Sequence, residues 1–128
     1  MMSLVMDASA VVEVITGKGA WEVPARGVEF FEPSVMPYEV ANVLRKLGAK
    51  PPRSHSIQDT EFELLMDFPA EYFTWDALAD RVWDLRHNLT SADASYVAVA
   101  EMASATLITK DRRIAAAPGI RCAVEVLP

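Results

Sequence analysis

Apolar positions along this chain fall into two patterns: short unbroken runs, and stretches in which they recur every three or four residues. Leu4, Val5 and Met6 form a run that stops at Asp7, and from Ala8 to Ile15 the apolar residues Val11, Val12 and Ile15 return at helical spacing. The order there is strand, acid, helix. Gly17, Gly19 and Pro24 break the pattern, and Val28 to Phe31 predicts a second short strand before Pro33. Pro37 suits the first turn of a helix, where a missing N–H costs no bond. Val40, Ala41, Val43, Leu44 and Leu47 give that helix one apolar face up to Gly48.

Lys50, Pro51, Pro52 and Arg53 make a stiff basic connection, too short for a domain linker. Ser56 is a good N-cap for a helix carrying Phe62, Leu65 and Met66, which ends before Pro69. Tyr72 to Trp75 suits a strand, and Asp76 is the expected cap of a helix with Leu78, Val82, Trp83 and Leu85. Thr90 stands three residues before Asp93, a variant of the capping-box spacing, and opens a helix running through Tyr96, Val97, Val99, Ala100 and Met102. Thr106 to Thr109 is apolar and β-branched, as a buried strand requires; Arg112 to Ala116 predicts a short helix and Cys122 to Val126 a last strand. Strands alternating with helices predict an α/β domain spanning 1–128, with a central, mainly parallel sheet covered on both faces.

Composition narrows the picture. A chain of 128 residues with 52% hydrophobic content can build one core. Twelve Lys and Arg against 18 Asp and Glu give a net charge of -6, the wrong sign for holding nucleic acid by bulk electrostatics. Any nucleic-acid role then rests on local basic patches or on a bridging metal. The single cysteine, Cys122, is expected as a small buried residue of the last strand. Met1 to Asp7 lacks the basic segment of a signal peptide and no apolar run is long enough for a membrane span, so a cytoplasmic protein without membrane association is expected.

Four acids occupy equivalent places on this map. Asp7 and Asp111 each follow an apolar strand and precede a helix; Glu39 and Asp93 each lie in the first turn of a helix. In a parallel sheet, helices leave from the carboxyl ends of strands, so such side chains gather along one edge. Capping and the helix dipole favour an acid at each of these places on their own account. They do not explain the set, because four neighbouring carboxylates repel one another unless a cation or basic partner lies between them. Oxygen ligands without a His or Cys cluster suit Mg²⁺ or Mn²⁺ rather than zinc, and His55 and His87 stand in separate polar stretches. A hard cation in such a pocket can bind a phosphate oxygen and polarise water, which reconciles an acidic chain with a nucleic-acid substrate.

The segments Val5-Met6-Asp7-Ala8-Ser9-Ala10, Pro37-Tyr38-Glu39-Val40-Ala41-Asn42, Thr90-Ser91-Ala92-Asp93-Ala94-Ser95-Tyr96 and Thr109-Lys110-Asp111-Arg112-Arg113 resemble, in order, the PIN-domain ribonucleases. Among these the chain is most similar to the VapC toxins of toxin-antitoxin pairs. The resemblance implies a three-layer α/β/α PIN-like fold and Mg²⁺- or Mn²⁺-dependent endoribonuclease cleavage of structured RNA such as tRNA or rRNA. It also implies inhibition by a cognate VapB-like antitoxin, and a homodimer. Carried over by position, Asp7, Glu39, Asp93 and Asp111 match the four family acids, with Ser9 and Thr109 in supporting places. Relatives usually form a second helix where this chain has the broken stretch from Gly17 to Glu32, and they commonly carry an aromatic residue at the place of Ala92.

Arg112 and Arg113, beside Asp111, are the preferred candidates for contacts to RNA phosphates, ahead of Arg45, Lys46, Lys50 and Arg53, where cations also suit a helix end. Trp21, Trp75, Trp83, Phe30, Phe31, Phe62 and Phe68 are spaced as core residues, with any exposed members available to a partner. Two other readings stay open. A receiver-type signalling domain is also short, acidic and α/β, although Asp7 lacks the paired acid such a domain needs. A PIN-like binding protein without catalysis is the other.

Overall fold

The computed structural model describes residues 1–19, 21–24, 26–48 and 55–128, with 55–58 described by backbone alone. The run of apolar residues that opens the chain becomes the middle of the sheet. Strand β1 (Met2–Met6) is flanked by β2 (Val28–Pro33) and β4 (Thr106–Thr109), with β3 (Ala70–Phe73) and β5 (Val124–Val126) at the edges. All four pairings are parallel, in the order β3-β2-β1-β4-β5. A central parallel strand is covered on both faces, and accordingly Leu4, Val5 and Met6 are all buried. The order also separates this fold from the 2-1-3-4-5 arrangement of receiver domains.

The chain moves from β1 to β2 to β3 in one direction across the sheet and then returns past β1 to β4. Crossovers between parallel strands are right-handed, so the outward connections lie on one face and the return connection on the other. The helices pack that way. On the first face α1 (Ala8–Thr16), α2 (Met36–Gly48) and α3 (His55–Met66) touch one another; α4 (Trp75–Asp84) packs on α5 (Ser91–Met102), which lies against β1, β2 and β4. A short helix, α6 (Arg112–Ala116), joins β4 to β5. Three layers result, the α/β/α arrangement expected.

Helix α5 is the deepest element: every residue from Ala94 to Ala100 is buried. A helix apolar all round belongs inside a domain, and its burial fixes Asp93, one residue before that stretch, at the sheet edge. Helix α1 stops at Gly17, whose φ of 68° is a left-handed conformation that glycine enters without a Cβ penalty.

Several elements differ from expectation in detail. The second strand reaches Pro33, because β2 continues its pairing with β3 through Pro33↔Phe73 after it has left β1. The third strand is Ala70–Phe73, and Thr74, rather than Asp76, stands at the N-cap of α4; Trp75 is therefore helical. The Thr74 hydroxyl instead donates to the Asp76 carboxylate inside the first turn. The last strand begins at Val124, so Cys122 precedes it and is half-buried. Trp75, Trp83 and Phe62 are exposed, at 64%, 65% and 51%, whereas Phe30 is buried and packs on Phe68 at 5.1 Å between ring centres. Helix α3 opens at His55, and Lys50 to Arg53 lie outside the described residues.

Candidate active site

The strand order reverses between β1 and β4, and crevices in open α/β sheets form beyond the carboxyl ends of strands at such a point. Asp7 follows β1 directly, and Asp111 follows β4 after Lys110. The backbone N–H of Asp7 donates to Ile108 O at 3.0 Å, which fastens the end of β1 to β4. Its carboxylate caps α1, with Oδ1 accepting from Ala10 N at 3.1 Å. Ser9 Oγ donates to the same oxygen at 2.5 Å, and Thr109 Oγ1 donates to Oδ2.

These two hydroxyls also tie the opposite strand to the site. Lys110 N donates to Ser9 Oγ at 3.1 Å and Asp111 N donates to Thr109 Oγ1 at 3.0 Å. Asp7 is 6% exposed and Thr109 fully buried, so the Asp7 side chain is held from two sides, by Ser9 and Ala10 of α1 and by Thr109 of β4. Capping alone would need only the Ala10 contact.

Glu39, in the first turn of α2, comes from the first helical layer, and Asp93 comes from the other. Neither caps its helix: the N-cap of α5 is Thr90, whose Oγ1 accepts from Asp93 N at 3.2 Å. Capping thus accounts for Asp7 and Asp111, while for Glu39 and Asp93 only the helix dipole remains of the ordinary helix-start preferences. Tyr96, 1% exposed, donates its hydroxyl to Glu39 Oε1 at 2.7 Å and holds that carboxyl between α2 and α5.

Desolvation pushes the Glu39 carboxyl above its ordinary range, against the Tyr96 bond, and the charges of Asp93 and Asp7 push it further. Asp93 is likewise raised first by desolvation, opposed by the Thr90 bond, then by the charges of Asp111 and Asp7. Each of the four acids therefore lies within electrostatic reach of at least one other, and Asp93 interacts with all three of the rest. Among the described residues, no group of three or more His, Cys, Asp or Glu side chains is placed, as it stands, to hold a metal ion.

Asp111 differs from the other three. Arg113 binds both its oxygens, Nε to Oδ1 at 3.1 Å and Nη2 to Oδ2 at 2.8 Å, and holds its carboxyl below the ordinary range. Asp111 also caps α6 through Arg113 N at 2.9 Å. Arg113 thus pairs with one acid of the cluster from an exposed position, and Arg112 beside it is exposed as well. Lys110 pairs with Glu13 at 2.5 Å. Arg45, at the end of α2, is exposed and bonds Asn42 Oδ1 at 2.9 Å.

One site residue escaped the sequence reading. Glu32 is fully buried; its Oε1 accepts Met6 N at 2.8 Å and its Oε2 has no hydrogen-bond partner among the described residues. Burial drives its carboxyl well above the ordinary range, opposed by the Met6 bond and reinforced by the charge of Asp7. The available signal was its position: an acid at the carboxyl end of an apolar strand, as Asp7 is to β1.

The raised carboxyls give a pH dependence of known sign. The folded chain holds the Glu39 proton more tightly than the unfolded chain does. Stability from this group is thus present at low pH and is lost as pH rises from the ordinary glutamate value through the raised folded value. Without divalent cations, the melting temperature of Glu39→Gln should gain on that of the wild type as pH rises across the interval above the ordinary glutamate value. Parallel curves across that interval would show that Glu39 is not raised.

Residues 4–120 match the PIN domain family. The chain is 34% identical over 132 residues to Ribonuclease VapC1 of Mycobacterium tuberculosis, covering 96% of each. In structure it is similar to VapBC2 from Rickettsia felis bound to a DNA fragment from their promoter, with a TM-score of 0.71, 13% identity and coverage of 99% of this chain and 100% of that one. It is also similar to PAE2754 from Pyrobaculum aerophilum, with a TM-score of 0.66, 21% identity and coverage of 98% and 84%. The chain belongs to the PIN-domain family and, within it, to the VapC ribonucleases.

Proposed function

We propose that the chain is a divalent-cation-dependent endoribonuclease, the toxin of a toxin-antitoxin pair, and that it cleaves structured RNA such as tRNA or rRNA at the edge where Asp7, Glu39, Asp93 and Asp111 meet. The observation that carries this is Asp7, held through both oxygens by Ser9 and Thr109 and in charge contact with Glu39 and Asp93. The donor set suits Mg²⁺ or Mn²⁺ in kind: it is all oxygen, and a cation would relieve the mutual repulsion that adds to desolvation in raising Glu39 and Asp93. Asp7, Glu39 and Asp93 would hold it, and Asp111 would join as Arg113 lets go. Such an ion supplies positive charge for a phosphate and lowers the pKa of water.

The chain's own residues do the rest. Ser9 and Thr109 keep the Asp7 oxygens aimed into the crevice, and Tyr96 does so for Glu39. Tyr96 occupies Glu39 Oε1, so the other carboxylate oxygen is the one that would share in holding the cation. Arg113 and the exposed Arg112 supply cations for the phosphates that flank the cut, which the net charge of -6 does not provide.

The partner is a VapB-like antitoxin, as the VapBC complexes among the similar structures suggest by kinship. A groove of about 430 Å³ between α2, α3 and β3 supports this, since it exposes Tyr38, Phe62 and Met66 to 79%, 51% and 69%. An antitoxin Arg would enter the acid pocket by charge-assisted hydrogen bonds. The exposed Trp75 and Trp83 of α4 support self-association as a homodimer. No helix among the described residues is long and apolar enough to cross a membrane, and a cytoplasmic site of action belongs to the same proposal.

Induced expression in a bacterial host, followed by mapping of new RNA ends, tests the reading. Growth arrest with new ends at a few positions in one class of structured RNA is expected, both relieved by the antitoxin. Unchanged RNA ends in arrested cells would overturn it.

A further inference from the structure

Backbone N–H groups of β1 point alternately to its two neighbours. Met2 N–H goes to Gly27 O on the β2 side at 2.6 Å, and Asp7 N–H goes to Ile108 O of β4. Met6 N–H therefore faces β2, where a continued ladder would offer a backbone carbonyl. The ladder has ended by then: β1 and β2 pair only from Met2↔Val28 to Leu4↔Phe30, after which β2 stays with β3 through Pro33↔Phe73. The strands part below the acid cluster, and the Glu32 carboxyl fills the opening. Its register position is opposite Met6 by the same offset, and its Oε1 takes the Met6 N–H at 2.8 Å in the buried interior.

An acidic side chain fully out of water is costly, and a buried backbone N–H without an acceptor is costly too. An apolar residue at this place would remove the first cost and create the second. A buried acceptor of this reach is needed at the one place where β1 loses its ladder, one residue before Asp7. Hydroxyls fix the Asp7 side chain and Ile108 fixes its N–H, so the β2 side of the preceding peptide is the remaining freedom.

We propose that Glu32 is a positioning residue of the nuclease site: its carboxyl substitutes for the missing ladder bond and fixes the end of β1, and through it the Asp7 carboxylate. Its part is that of a buried hydrogen-bond acceptor to Met6 N–H, so the reach of the side chain is what matters. The proposal rests on the reading that Asp7 serves RNA cleavage.

Three variants separate reach from charge. Glu32→Gln keeps the acceptor and the length, Glu32→Asp keeps the acid but withdraws it by one methylene, and Glu32→Leu removes the acceptor. Amide hydrogen exchange of Met6 is measured in each without added cation, alongside RNA cleavage with Mn²⁺. Glu32→Gln should match the wild type within about twofold in both readouts. Glu32→Leu and Glu32→Asp should speed Met6 exchange at least about tenfold and slow cleavage by a similar factor, with Val97 and Val99 in α5 unchanged. If Glu32→Leu does not fold, Glu32→Asp decides. Cleavage lost in Glu32→Gln, or wild-type cleavage and Met6 exchange in Glu32→Asp, would overturn the proposal. An Asp7→Asn variant with full activity would overturn instead the reading on which it rests, whatever Met6 exchange shows.

Discussion

Asp7→Asn is expected to lower RNA cleavage by roughly a thousandfold or more, since the charge stabilisation supplied at such a site is several kcal/mol and each 1.36 kcal/mol is tenfold. The fold should survive. Asn is as good an N-cap as Asp, so Ala10 N keeps its acceptor, and the side chain retains one oxygen and gains one donor beside Thr109 Oγ1. Removing the charge also relieves Glu39, Asp93 and Glu32, all of which it pushes upward. Metal-free stability should therefore stay within about 1 kcal/mol of the wild type or rise. Activity lost at unchanged or higher stability assigns Asp7 to the chemistry; activity kept removes it.

Divalent cations should stabilise the chain strongly. A ligand that binds only the folded form, at a hundredfold over its dissociation constant, adds about 2.7 kcal/mol, which for a domain of this size is roughly 10 °C in melting temperature. The acids provide the reason: their repulsion is present in the metal-free fold and disappears when a cation binds. Mg²⁺ or Mn²⁺ should raise the melting temperature of the wild type, and Asp93→Asn should lose most of that rise. A rise of equal size in Asp93→Asn would place the cation elsewhere.

The strand-acid-helix order around Asp7 and Asp111 was legible because both halves of the signal are local: an apolar run, and a cap that follows it. Glu39 and Asp93 were legible as first-turn acids, and Thr90 was legible as the cap that stands before Asp93. What escaped the sequence was set by pairing between strands. Glu32 falls just past the predicted strand Val28 to Phe31, and only when β2 is seen to leave β1 does its side chain face a buried amide. Tyr96 looked like one more apolar position of α5, and its hydroxyl found Glu39 from 57 residues away in sequence. The ends of β3 and α4 moved because Thr74 and Asp76 are both good caps and the local sequence favours neither. Trp75 and Trp83 were expected in the core by spacing, yet Leu78 and Val82 fill the buried face of α4 and leave them outside.

The acid cluster, not the protein's overall charge, is held here to bring RNA to the point of cleavage. The most direct test is end-mapped cleavage of purified cellular RNA by the purified, antitoxin-free chain, with Mn²⁺, with excess chelator, and with Mn²⁺ restored. Discrete cuts that vanish with chelator, return with the ion and are absent in Asp7→Asn are predicted. Cuts that persist undiminished in chelator or in Asp7→Asn, or intact RNA throughout, would contradict the account.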